Sequence, residues 1–272
     1  AIAIYVMTLP GALDGVLYYI TPDFSKLSFG TIIAALGQLF YSMSLAMGIM
    51  FTYGSYLNKK ENLEASVRHI ELFDTGIAFL SGLMILPAVF VFSGGDANVL
   101  NSGSSLLFIT MPQVFMSMPF GQAVGAIFFI LVFFAALTSA ISFVETIVSV
   151  FQDQFGWKRI PICIGTCLGA IVIGLAAAWG FGWWSGFTIF GMNISDFLDF
   201  FTNSILMPIS ALFTCIFLGF IVGTSVVADE VKLSSRFRSE KMFVVITKWI
   251  APVCIVAILV TSILSAAGLF TI

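Results

Sequence analysis

Residues 30–57 read GTIIAALGQLFYSMSLAMGIMFTYGSYL and carry no charge. The stretch is long enough to cross a bilayer, which takes about 20 apolar residues. Its middle is unlike an ordinary span. Polar and small residues crowd between Ser42 and Gly48, flanked by Gln38, Thr52, Gly54 and Ser55. In hydrocarbon every main-chain N–H and C=O needs a partner, so unwound backbone is tolerated only where it lines a cavity. From these residues alone two readings stay open. The segment is a helix broken at its centre, with free carbonyls and amides turned to a cavity. Or it is a continuous helix whose small residues permit close packing.

The rest of the chain puts this stretch in a membrane. Of 272 residues, 60% are hydrophobic and 15% aromatic, and only 9% are charged; mean hydropathy is +1.09. A soluble domain carries roughly 25% charge, and disorder demands low hydrophobicity, so both classes are excluded. A net charge of −3 argues against a nucleic-acid partner, which calls for a basic chain. The expected class is an all-α polytopic membrane protein. Spans are expected at about 30–57, 68–94, 119–152, 159–181, 197–224 and 243–270. The opening AIAIYVMTL, residues 1–9, is apolar from its first residue, lacks a basic n-region, and is too short to span. It reads as the tail of a longer helix, making the chain a C-terminal fragment.

Basic residues alternate between connections. Loop 58–69 has Lys59, Lys60 and Arg68, loop 153–160 has Lys158 and Arg159, and loop 225–242 has Lys232, Arg236, Arg238 and Lys241. Loops 95–118 and 182–196 have none. The positive-inside rule makes the first three cytoplasmic. Trp157 and Trp249 then fall near inner ends, and Trp179, Trp183 and Trp184 near an outer end. Segment 58–71 has the pattern of a short amphipathic helix, where His69 is solvated or interfacial rather than catalytic. Segment 95–118 is a capped, partly helical extracellular loop with Pro112 and Pro119 as breaks, either a lid or a passive connector. Cys163, Cys167, Cys215 and Cys254 lie in apolar stretches without CxxC and read as small packing residues.

Ionisable residues within spans are functional hypotheses by default. Asp74 lies in the second span and needs a proton, an ion pair or a bound cation. Thr138, Ser142 and Glu145 recur at i, i+4, i+7 on one helix face. Such oxygens suit an alkali cation, although hydroxyls can also bond back to their own helix. Asp196, Asp199 and Asn203 open the fifth span, and Pro208 implies a kink. There is no GxSxG, HExxH or P-loop, and no enzyme is expected.

At these residues the chain resembles the neurotransmitter:sodium symporter family, in particular its bacterial amino-acid transporters. Residues 34–56, AALGQLFYSMSLAMGIMFTYGSY, look like the family's sixth span. Residues 131–146, LVFFAALTSAISFVET, look like its eighth, and GALDGVLYYITPDFSKL like its third extracellular loop. The resemblance implies the second inverted repeat of the broken-helix sodium-symporter fold plus one extra span, from the end of span 5 to span 11. Its partners would be an amino acid, the bilayer and absent N-terminal spans 1–5. Tyr41, Ser44, Leu45, Ala46, Met47, Ser139 and Phe143 match substrate-binding positions. Ser42, Asp74, Ala135, Thr138 and Ser139 match positions at the sodium sites, which hold one or two Na+ and are completed by the absent spans. Tyr41 and Asp199 match the outer gate, and Asp153 with its neighbour Tyr56 the inner one. Chloride-requiring members carry a neutral Asn where this chain has Asp74 and a Ser where it has Ala78. The Asp74 carboxylate, near Gln38 and Ser42, would therefore replace chloride. Ala46 stands where many members have Gly.

These readings imply part of a sodium-coupled symporter in the plasma (bacterial inner) membrane, working by alternating access. It would import an amino acid, hydrophobic or aromatic given Met47 and Phe143, independently of chloride. The competing reading is a non-transporting or partner-dependent membrane protein that keeps the fold.

Overall fold

The computed structural model describes residues 2–92, 106–234 and 236–266. Among the described residues the only pairing of extended backbone is a single bridge between Ile189 and Met192; the rest of the regular structure is helical. Two short helices, α1 (Ile2–Met7) and α2 (Ala12–Ile20), come first. The stretch 30–57 forms α3 (Phe29–Ser42) and α4 (Ile49–Tyr56). Then follow α5 (Leu63–Phe92), α6 (Met111–Ser117), α7 (Gly121–Phe155) and α8 (Arg159–Gly180). The chain ends with α9 (Ile194–Ile221), α10 (Thr224–Ser234) and α11 (Glu240–Ser265). Five of these helices, α5, α7, α8, α9 and α11, are long and apolar enough to cross a membrane.

One expectation changes in detail. The amphipathic segment 58–71 is no separate helix; it runs on into α5. Asn62 starts that helix by accepting from the Ala65 amide at 3.0 Å. Glu64 and Arg68 pair at i,i+4, and no Gly or Pro stops the chain before Gly76, so nothing ends the helix at the expected boundary. The loop expected at 95–118 lies outside the described residues up to 105. Its second half is helical, a π turn (Leu106–Thr110) leading into α6. The kink expected at Pro208 has a local form. A π turn over Phe200–Leu206 precedes it, a widening that accommodates the proline's missing N–H.

The chain divides into two compact units, Ala1–Leu27 with His69–Ser139, and Ser28–Arg68 with Ala140–Ile272. In the first, Val6, Ala88, Met111, Val114 and Phe115 form a buried cluster. Gly15 of α2 lies so close to α5 that a side-chain carbon there would meet Pro87 Cα at 2.6 Å. Only hydrogen fits, which is how small residues let helices approach where lipid removes the hydrophobic drive. In the second, Met207, Ala211, Ile255 and Ile258 are buried along the packing of α9 against α11. Most other large apolar side chains point outward: Phe133, Ile171 and Val172 are each at least 56% exposed, a surface that suits acyl chains rather than water.

Candidate functional site

The two readings of residues 30–57 are separated by the backbone. The helix stops at Ser42 and resumes at Ile49. Between them Ser44, Ala46 and Gly48 take positive φ of 52°, 62° and 81°, which no continuing helix allows. The Leu45 amide reaches back to the Phe40 carbonyl at 2.9 Å, and the next bond is from the Thr52 amide to the Gly48 carbonyl at 3.0 Å. The amides of residues 46–51 therefore make no described main-chain bond, and the positive end of α4 opens into the break. Glycine is required at 48. Besides its φ, a side-chain carbon there would lie 2.9 Å from Thr146 Cγ2 on α7. Ala46 holds a left-handed conformation without that freedom, at a cost of about 1–2 kcal/mol.

The break forms one wall of a cleft of about 920 Å³ within the second unit. Tyr41, Ala46, Met47, Phe143 and Asp199 all line it, with Thr146 and Asn203 beside them. Four of the expected substrate residues and one expected gate thus meet at one surface. Ser44 and Leu45 are half-buried in the break itself and do not line the cleft. An adjoining cavity of about 320 Å³ is bordered by Gln38, Tyr41, Asp199, Asn203 and Ser262. Asn203 Nδ2 donates to Asp199 Oδ1 at 2.6 Å, fixing the carboxylate at the rim both spaces share. Ser42 ends α3, exposed beside the break.

Below the break, α4 is joined to α7 by three side-chain bonds. Thr52 Oγ1 meets Ser149 Oγ at 3.2 Å, the Tyr53 hydroxyl meets Ser142 Oγ at 2.6 Å, and the Tyr56 hydroxyl donates to Glu145 Oε1 at 2.7 Å. Arg159 at the start of α8 donates through Nη1 to Glu145 Oε1 at 3.0 Å and through Nη2 to Oε2. This corrects the grouping of Thr138, Ser142 and Glu145 as one cation-ligating face. The Glu145 carboxylate is committed to an arginine and a tyrosine. Arg159, Ser149 and Tyr53 escaped the sequence reading. The signal was available: Thr52, Tyr53 and Tyr56 on α4, and Ser142, Glu145 and Ser149 on α7, are two polar stripes at helical spacing. Asp153 is exposed near the end of α7, and Tyr56 bonds to Glu145 rather than to it.

The remaining expected residues belong to the first unit. The Ala135 carbonyl accepts from Thr138 Oγ1 at 2.9 Å and from Ser139 Oγ at 3.1 Å. The back-bonding alternative is thus realised, and it gathers three hard oxygens at one turn of α7. Asp74 is half-buried on α5. Among the described residues no three His, Cys, Asp or Glu side chains converge. The donors are hydroxyl, carbonyl and single carboxylate oxygens, a set that fits an alkali cation.

Comparisons with known proteins agree with this geometry. The model of the sodium:neurotransmitter symporter family matches residues 1–270. An uncharacterized sodium-dependent transporter of Haemophilus influenzae is 35% identical over 261 residues, covering 94% of this chain and 55% of that protein. The uncharacterized sodium-dependent transporter YhdH of Bacillus subtilis is 35% identical over 230 residues, 85% of this chain and 50% of that protein. The crystal structure of MhsT in complex with L-phenylalanine superposes with a TM-score of 0.86 at 34% identity, over 96% of this chain and 58% of that one. The chain thus spans about half the length of these relatives. It belongs to the sodium:neurotransmitter symporter family, a family of membrane transporters and not of enzymes.

Proposed function

We propose that this chain supplies the broken-helix half of a sodium-coupled importer of a hydrophobic or aromatic amino acid, working by alternating access in the plasma membrane. The observation that carries this reading is the break at residues 43–48 in the wall of a cleft shared with Tyr41, Met47, Phe143 and Asp199. Unpaired amides and carbonyls at membrane depth are costly unless a ligand takes them up. The apolar faces of Met47 and Phe143 favour a hydrophobic side chain, and the neighbour solved with L-phenylalanine supports an aromatic one. Tyr41 and Asp199 close the cleft outside. Asp153, Tyr56 and Glu145 work at the cytoplasmic end, where Asp153 awaits a basic partner. Ser42, Asp74, the Ala135 carbonyl, Thr138 and Ser139 hold one or two sodium ions together with groups beyond this chain. Sodium supplies the driving gradient, and by reciprocal coupling its binding raises affinity for the amino acid. The Asp74 carboxylate provides the negative charge that makes chloride unnecessary. The test is uptake of labelled phenylalanine and leucine by the intact protein in proteoliposomes. A sodium gradient should drive accumulation and a potassium gradient should not; equal uptake under both would refute the reading.

A further inference from the structure

Lys248 sits eight residues into α11 from Glu240, about 12 Å along the helix axis at 1.5 Å per residue. A cation at that depth is costly unless it finds a counter-charge or reaches the interface. The described ion pairs engage Arg68, Arg159 and Lys232, and among the described residues no carboxylate meets Lys248. Its surroundings are built to hold its stem. Gly219 on α9 is buried, and a side-chain carbon there would lie 3.4 Å from Lys248 Cγ. The lysine's methylenes thus pack against the backbone of α9 at Gly219. One residue further on each helix, Phe220 and Trp249 meet edge to face, 6.2 Å apart at 90°, and both are more than half exposed. Both helices widen into π turns at this level, Phe217–Ile221 and Ile246–Ile250. Toward the connection between them lie exposed Arg236, Arg238 and Lys241, while Glu240 is taken by Lys232 at 2.7 Å.

We infer that this corner of α9 and α11 binds the headgroup of an anionic phospholipid. The lysine stem packs in hydrocarbon while its ammonium snorkels to the phosphate level. The Trp249 ring anchors at the same interface. The connection between the helices carries Lys232, Arg236, Arg238 and Lys241 against Asp229, Glu230 and Glu240, a small net positive charge that favours a net-negative headgroup over a zwitterionic one. The occupant is a bilayer lipid rather than free phosphate, because the aromatic pair and the exposed Ile221, Ile250 and Val253 offer a surface for acyl chains.

The test is thermal unfolding of the intact protein in phosphatidylcholine nanodiscs with increasing phosphatidylglycerol. The wild type should show a saturating rise in its midpoint. Lys248→Gln should need about fivefold more phosphatidylglycerol, the worth of one basic residue at an anionic surface, and Lys248→Arg should behave like wild type. Midpoints in pure phosphatidylcholine show whether each variant is folded before lipid is added. An unchanged phosphatidylglycerol response in Lys248→Gln would overturn the proposal. So would an equal rise with soluble glycerol phosphate, which would mark a free-phosphate site. Uptake activity does not enter this readout, so the outcome is independent of the transport reading.

Discussion

Arg159 grips Glu145 with both terminal guanidinium nitrogens while the Tyr56 hydroxyl donates to the same carboxylate. Three helices, α4, α7 and α8, therefore meet at one side chain that is only 15% exposed. Bidentate arginine pairing of this kind fixes orientation as well as charge. Glu145→Gln and Arg159→Gln should each lower the unfolding midpoint. The double variant should lose less than the two single losses combined, because each single change strands the other partner. Strictly additive losses in a double-mutant cycle would show that the contact does not couple the helices.

The backbone at the break makes a prediction of opposite sign. Ala46 holds φ 62°, so Ala46→Gly relieves about 1–2 kcal/mol of left-handed strain and gives back part as backbone entropy. The net should be a stabilisation of about 0.5–1 kcal/mol in denaturant titration. Gly48→Ala should destabilise by roughly 2 kcal/mol, because it combines positive φ with the 2.9 Å approach to Thr146. A stable Gly48→Ala variant would mean that the left-handed turn is dispensable.

Sodium dependence should track the oxygens on α7. Thr138→Val and Ser139→Ala remove two hydroxyls from the turn capped by the Ala135 carbonyl. Each should raise the sodium concentration for half-maximal uptake severalfold, and the pair together by tenfold or more, about 1.4 kcal/mol. Unchanged sodium titrations would remove these residues from the site.

Uptake by the intact protein should be the same in chloride and in gluconate. Asp74→Asn removes a fixed carboxylate from α5 and should convert the protein to one that chloride stimulates. Chloride stimulation of the wild type would rule out the substitution of a carboxylate for the anion.

Phe143→Ala opens the apolar side of the cleft. Loss of the aromatic face offered to a bound side chain, about 1.5–3 kcal/mol, should raise the KM for phenylalanine at least tenfold, with a smaller effect for alanine. Equal changes for both substrates would place Phe143 in packing and not in specificity.

Much of this was legible in residues 30–57 and 131–146. Composition set the membrane class, and the small-polar run at 42–48 marked the place of the break. What stayed hidden was pairing across helices. Glu145 and Ser142 share a face with Thr138, and periodicity alone cannot say that Tyr56, Tyr53 and Arg159 claim that face first. Such partners lie 14 and 89 residues away, beyond any local pattern. The end of the amphipathic segment 58–71 was missed for the opposite reason: no breaker stands where hydropathy changes, so the helix follows its propensity.

The contacts between α4 and α7 have a mechanical consequence. In two of the three, Thr52 with Ser149 and Tyr53 with Ser142, either hydroxyl can donate. A joint made of interlocking aliphatic side chains resists shear until it jumps. One made of reversible hydroxyl pairs can trade each bond for water and remake it a step along. The half-helix below the break is thus tied to α7 by contacts that water can replace one at a time, with the Glu145 junction as its one charged anchor.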